Sequence, residues 1–233
     1  MSPSGVGVMA SAGCFVQQSR CNWRGDYDSM ARISALKCRR TALTVRDSSF
    51  VTLNARAIRA QLETLTVKSS TFTHCGHAEL YGGAIWHSDE ERSIADCRFD
   101  RCVAALGGAL RFNTARQSSI ANCKFLYCKS TEQFKKTDPS ENNIAVFIND
   151  SRSYTMHNCT FESNHLLIID PSDASVTNSF FQRSGFYMLM SYEGATKSSG
   201  CTFNEGIETW LSSKEINFRA TTSIKYPAVF SED

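Results

Sequence analysis

Apolar positions in this chain recur in short clusters rather than on a helical period. The stretch "SIADCRFDRC" (93–102) is followed by "SIANCKFLYC" (119–128), so that Ile94, Cys97, Phe99 and Cys102 return as Ile120, Cys123, Phe125 and Cys128, 26 residues later. Alignment on the phenylalanine gives seven copies, at Phe50, Phe72, Phe99, Phe125, Phe161, Phe181 and Phe203, spaced 22, 27, 26, 36, 20 and 22 residues apart. Five residues before each stand Val45, Val67, Ile94, Ile120, Met156, Val176 and Ser198. Two before stand Ser48, Ser70, Cys97, Cys123, Cys159, Ser179 and Cys201; three after stand Leu53, Cys75, Cys102, Cys128, Asn164, Ser184 and Gly206. Self-similarity on this scale marks a solenoid, whose single unit cannot bury its own apolar side.

Local chemistry identifies the unit. Cys97 and Phe99 are two residues apart, the side-chain period of a strand. Three residues before each phenylalanine stand Asp47, Ser69, Asp96, Asn122, Asn158, Asn178 and Gly200. Asn, Asp and Gly tolerate the left-handed backbone of a sharp bend. A second bend is expected near Cys102. A third short apolar segment follows in every copy, such as "RAIRA" (56–60), "GGAIWH" (82–87) and "HLLIID" (165–170). Three strands and three bends per copy predict an all-β fold, a right-handed parallel β-helix of about seven or more coils. Phe would then sit on Phe, and Cys or Ser on Cys or Ser. A helical solenoid would instead need apolar residues at i, i+3, i+4 and i+7 among strong helix formers.

Three successive coils are expanded, always between the second bend and the third strand. Phe72 to Ile85 is thirteen residues, Phe99 to Leu110 eleven and Phe125 to Val146 twenty-one, against eight from Phe161 to Ile169. The longest expansion, "KSTEQFKKTDPSENN" (129–143), is polar, with Lys129, Lys135, Lys136, Asp138 and Glu141 as candidate partner contacts. Insertions in solenoids collect on one face, often the binding face. Residues 43–213 carry the repeats. Residues 1–42 are expected to form degenerate coils and an N-terminal cap, and residues 214–233 a last strand and tail.

The motifs Phe161-Glu162-Ser163-Asn164, Gly82-Gly83-Ala84-Ile85 and Gly107-Gly108-Ala109-Leu110 resemble the repeats of the polymorphic outer-membrane protein (Pmp) family of chlamydiae and its relatives in some protists. The resemblance implies a right-handed β-helix passenger, displayed outside the cell and used in adhesion.

Composition narrows the function. Of 233 residues, 42% are hydrophobic and 21% charged, enough for a sizeable core. The net charge of +2 and the lack of a basic stripe argue against a nucleic-acid partner. No stretch approaches the roughly 20 apolar residues of a membrane span. The first residues show no signal peptide, so a cytoplasmic or cytoskeletal location is expected, with the cell surface as the alternative for a fragment. Ten cysteines are many, but their columns fit small buried core groups better than disulfides or zinc ligands. "HSDEER" (87–92), the densest acidic run, is expected as a solvated turn. No Asp-Asp pair and no Arg-Ile-Lys suggest a polysaccharide-cleaving site, and neither a metal nor another cofactor is expected. The expectation is a non-enzymatic structural module docking with other proteins in a larger assembly. An exported adhesin stands second and a carbohydrate-active enzyme third, carbohydrate having no specific support.

Overall fold

A computed structural model describes residues 8–10, 16–19, 22–24, 36–39, 42–61, 63–88, 90–131, 144–169, 173–184, 186–190, 195–204 and 208–212. Every strand pairing among them is parallel, and nearly every pairing joins equivalent strands of successive coils. The phenylalanine-bearing strands form one eight-stranded sheet running from Asn22–Arg24 to Thr202–Asn204. A 15-stranded sheet holds the first and third strands of the coils, and a two-stranded sheet joins Val103–Ala104 to Lys129–Ser130. This is a parallel β-helix, as the repeat columns predict.

The register is the one read from the sequence. Phe99 aligns with Phe72 on one side and Phe125 on the other, and Ile94 with Val67 and Ile120. The parallel pairing also extends to the N-terminal side of residue 43. There Trp23 aligns with Phe50, Val16 with Leu43 and Leu36 with Ile58. Residues 214–233 lie outside the described residues.

Two corners of each coil are sharp. The column predicted to bend adopts positive φ at Asp47, Ser69, Asp96, Asn122, Asn158, Asn178 and Gly200. The second corner falls two residues after each of the first six phenylalanines, at Thr52, His74, Arg101, Tyr127, Ser163 and Arg183, all with φ near +50°. At both corners the left-handed residue donates its amide to the next coil, as Asp96 does to Ala121 and Arg101 to Leu126.

The expected third bend needs correction in two coils. Strands Leu110–Ala121 and Ile144–His157 run through it without a break, 12 and 14 residues long. Third and first strands therefore share one sheet, and in these two coils the chain passes between them with no left-handed residue.

Candidate functional site

The interior columns come first, because they decide which side chains are open to chemistry. The seven phenylalanine rings form one stack, with neighbouring centroids 4.7 to 5.1 Å apart and planes within 18°. All but Phe203, at the C-terminal end of the stack, are fully buried. Parallel offset aromatic pairs of this kind add to the burial of their area.

The cysteine columns lie immediately after the two corners. Cys97, Cys123, Cys159 and Cys201 follow the first, and Cys75, Cys102 and Cys128 the second; all seven are free and buried. Each thiol reaches back across the left-handed residue to the carbonyl two positions earlier, as Cys97 does to Ala95 at 3.1 Å and Cys123 to Ala121 at 3.2 Å. Serine makes the same bond where it replaces cysteine: Ser48 to Arg46 at 2.7 Å, Ser70 to Lys68 at 2.9 Å, Ser179 to Thr177 at 3.1 Å. The columns thus require a small inward group that can donate one hydrogen bond. That requirement explains why Cys and Ser interchange.

Within a column the thiols lie in a line, one rung apart, rather than around a point as a tetrahedral metal site needs. Burial pushes the Cys75 and Cys128 thiols well up, and donation toward Cys102 adds to the effect. Donation toward Cys159 and Cys97, followed by burial, raises Cys123. Asn164 takes the place of a thiol in the second column. Its Nδ2 donates to the Cys128 carbonyl at 2.7 Å, and its Oδ1 accepts from the Cys128 amide at 3.2 Å.

The Gly-Gly-Ala motifs close the expanded coils. Gly82 and Gly107 both have φ +69°. A Cβ on Gly83 would sit 2.0 Å from the Gly108 carbonyl oxygen, so the second glycine lets successive coils touch backbone to backbone. The described parts of the expansions stack as a platform. Gly76 bridges to Val103, Tyr81 to Leu106, and Val103–Ala104 pairs with Lys129–Ser130. Of the candidate partner contacts, Lys129 sits exposed on this platform. Lys135, Lys136, Asp138 and Glu141 lie outside the described residues.

The "HSDEER" reading is corrected at both ends. His87 and Arg92 are buried inside the coil. Strand alternation turns Arg92 inward, in register with Leu65 and Ser118. Its guanidinium lies 4.6 Å from the Phe112 ring centroid and donates to the carbonyls of His87 (3.4 Å) and Asn113 (3.2 Å). Glu91 is exposed, and Ser88 and Glu90 are half-buried.

A surface feature escaped the sequence reading. On the third-strand sheet Arg59, Trp86, Arg111 and Phe147 occupy one register position on four successive coils. Arg59 and Arg56 place their guanidinium carbons 5.3 and 5.9 Å from the Trp86 ring centroid. Arg111 lies 3.9 Å from the Tyr81 centroid and 5.1 Å from that of Phe147. Ion pairs form elsewhere: Asp96 with Lys68, Asp100 with Arg98 and Arg101, Glu90 with Arg116.

Comparison with known proteins agrees with this architecture. Residues 3–223 match a family model described as a right handed beta helix region. No curated protein matches the chain, and no solved structure does.

Proposed function

Because the chain belongs to the right-handed β-helix family, we propose that it serves as a rigid, non-enzymatic docking module within a larger protein assembly. The observation that supports this reading is the stacked platform of the expanded coils. Insertions that would ordinarily be separate loops are tied by parallel bridges at Gly76–Val103 and Tyr81–Leu106 and by the Val103–Ala104 pairing. A preorganised surface loses little entropy when a partner covers it.

The test is the state of the protein in extracts of its native source. The docking reading expects it to elute in size-exclusion chromatography far above its 25.9 kDa mass. A variant carrying Lys129→Glu, Lys135→Glu and Lys136→Glu should shift toward the monomer. Elution as a monomer, together with turnover of a polysaccharide, would replace this reading with an enzymatic one. Recovery only at the cell surface would move it to the adhesin that the Phe161–Asn164 and Gly-Gly-Ala motifs resemble.

A further inference from the structure

The described solenoid ends on two complete sets of edge strands. Among the described residues, Val8–Ala10, Val16–Ser19 and Asn22–Arg24 each pair with one later strand only. Ala195–Ser199, Thr202–Asn204 and Glu208–Ser212 each pair with one earlier strand only. A strand edge carries a row of backbone donors and acceptors that templates a further strand. Because every pairing is parallel, the two ends complement each other. One lacks a preceding coil and the other a following one, and each set holds one strand from each side of the coil.

The side-chain columns say which segment fits. Cys201 and Phe203 stand last in their columns, and Phe203 is partly buried, with a described stacking partner, Phe181, on one side alone. A coil laid on this end has to supply an aromatic residue with Cys or Ser two positions before it. The aromatic residues of 213–233 are Phe218, Tyr226 and Phe230, preceded at that spacing by Ile216, Ile224 and Ala228. None matches. Trp23 does: Cys21 stands two residues before it, and Trp23 holds the phenylalanine column in register with Phe50. The N-terminal coil of a second copy therefore meets a requirement that the chain's own C-terminal residues do not. Continuing the register of the phenylalanine-bearing sheet puts Trp23 opposite Phe203, Asn22 opposite Thr202 and Arg24 opposite Asn204.

We infer that the chain associates end to end with a second copy of itself, the C-terminal coil of one copy carrying the N-terminal coil of the next. This goes beyond the docking reading, which rests on the expanded edge. The junction is heterologous, so assembly continues as an open filament rather than closing as a dimer. Each copy contributes an eight-stranded phenylalanine-bearing sheet. At about 4.8 Å per strand, the axial repeat is about 38 Å.

The experiment is sedimentation velocity of the purified full chain over a concentration series, with negative-stain electron microscopy of the fastest fraction. Wild type should pass from the 25.9 kDa monomer to species that grow without a fixed size, and filaments should show the axial repeat. Asn204 is exposed. Asn204→Arg sets like charges opposite each other across the junction and should weaken association about threefold or more. Asn204→Arg/Arg24→Glu should restore it. Phe203→Glu places a charge in the joint and should weaken association at least about tenfold. The Lys129→Glu/Lys135→Glu/Lys136→Glu variant, altered away from both ends, should associate as wild type, and all variants should retain the parent circular dichroism. A monomer at every concentration would overturn the inference, and so would a closed dimer, or association that Asn204→Arg leaves unchanged. A monomer whose Thr202–Asn204 amides resist hydrogen exchange until residues 213–233 are removed assigns the edge to the chain's own tail and overturns it too. If the chain elutes in a large native assembly but is monomeric when pure, only the end-to-end junction falls. A monomer in extracts that turns over polysaccharide removes the docking reading as well.

Discussion

Phe99 and Phe125 lie one coil apart, 26 residues apart in sequence, with ring centroids 5.1 Å apart and planes inclined by 4°. Both rings are fully buried, and each continues a stack that runs through six coils besides its own. The shape of the molecule follows from this relationship, because a ring can stack on its equivalent only if every coil closes with the same inward orientation.

Truncation of the stack is therefore expensive. Phe99→Ala should destabilise the chain by about 3–5 kcal/mol in equilibrium urea unfolding, the usual cost of deleting a buried ring. Phe203→Ala should cost clearly less, because Phe203 is only partly buried and has a described stacking partner on one side alone.

Arg92 places a charge inside the coil, over Phe112 and bonded to two carbonyls. Arg92→Ala leaves a cavity and two unmet acceptors, and should cost about 2–4 kcal/mol. Arg92→Met fills most of the cavity but leaves the same two acceptors unmet, and should cost less than Arg92→Ala, about 1–3 kcal/mol. Thermal melts of both variants check the order.

Glycines divide by what surrounds them. Gly83→Ala drives a Cβ to 2.0 Å from a backbone oxygen and should cost about 3 kcal/mol or more. At Gly200 (φ +65°), the nearest atom to an added Cβ is Oδ1 of Asn178, the end of a movable side chain. Asparagine already forms a ladder in this column, with Asn158 donating to Asn122 at 2.9 Å and Asn122 to Asp96 at 3.0 Å. Gly200→Asn should thus stay within about 1 kcal/mol of wild type by the same urea assay.

Tyr154 is buried with a hydroxyl that has no hydrogen-bond partner among the described residues. Tyr154→Phe should be as stable as wild type or up to about 1 kcal/mol more so. Burial, then the nearby Cys159 and Cys123, push the Tyr154 pKa well above its ordinary value. Above pH about 10 the unfolded chain releases this proton while the folded chain keeps it, so wild-type stability falls as pH rises. Phenylalanine lacks the proton, and the advantage of Tyr154→Phe should widen above that pH. Urea midpoints at pH 8 and at about pH 10.5 decide it.

What the sequence revealed depended on whether residue type and conformation coincide. The first corner was readable because Asn122, Asn158 and Asn178 are residues suited to positive φ. The second corner was placed only approximately, since Thr52, His74, Arg101 and Tyr127 carry no such signature; there the stack imposes the conformation. Arg92 was misread because its acidic neighbours suggested a turn. Its position, two residues before Ile94, falls in register with Leu65, two before Val67, and Leu65 is buried. The Arg59–Trp86–Arg111 column was missed for another reason. Apolar periodicity follows inward positions, and these residues come together only when outward positions of successive coils are compared. Trp23 was missed because it aligns with a phenylalanine column without being one.

The most direct measurement is alkylation mass spectrometry of protein from its native source, without reductant, before and after unfolding. Cys75, Cys97, Cys102, Cys123, Cys128, Cys159 and Cys201 should resist alkylation in the folded protein, and all seven should be modified once it unfolds. Rapid modification of the folded protein at Cys97 or Cys123, or their recovery in disulfides, would contradict the stack of buried, reduced rungs.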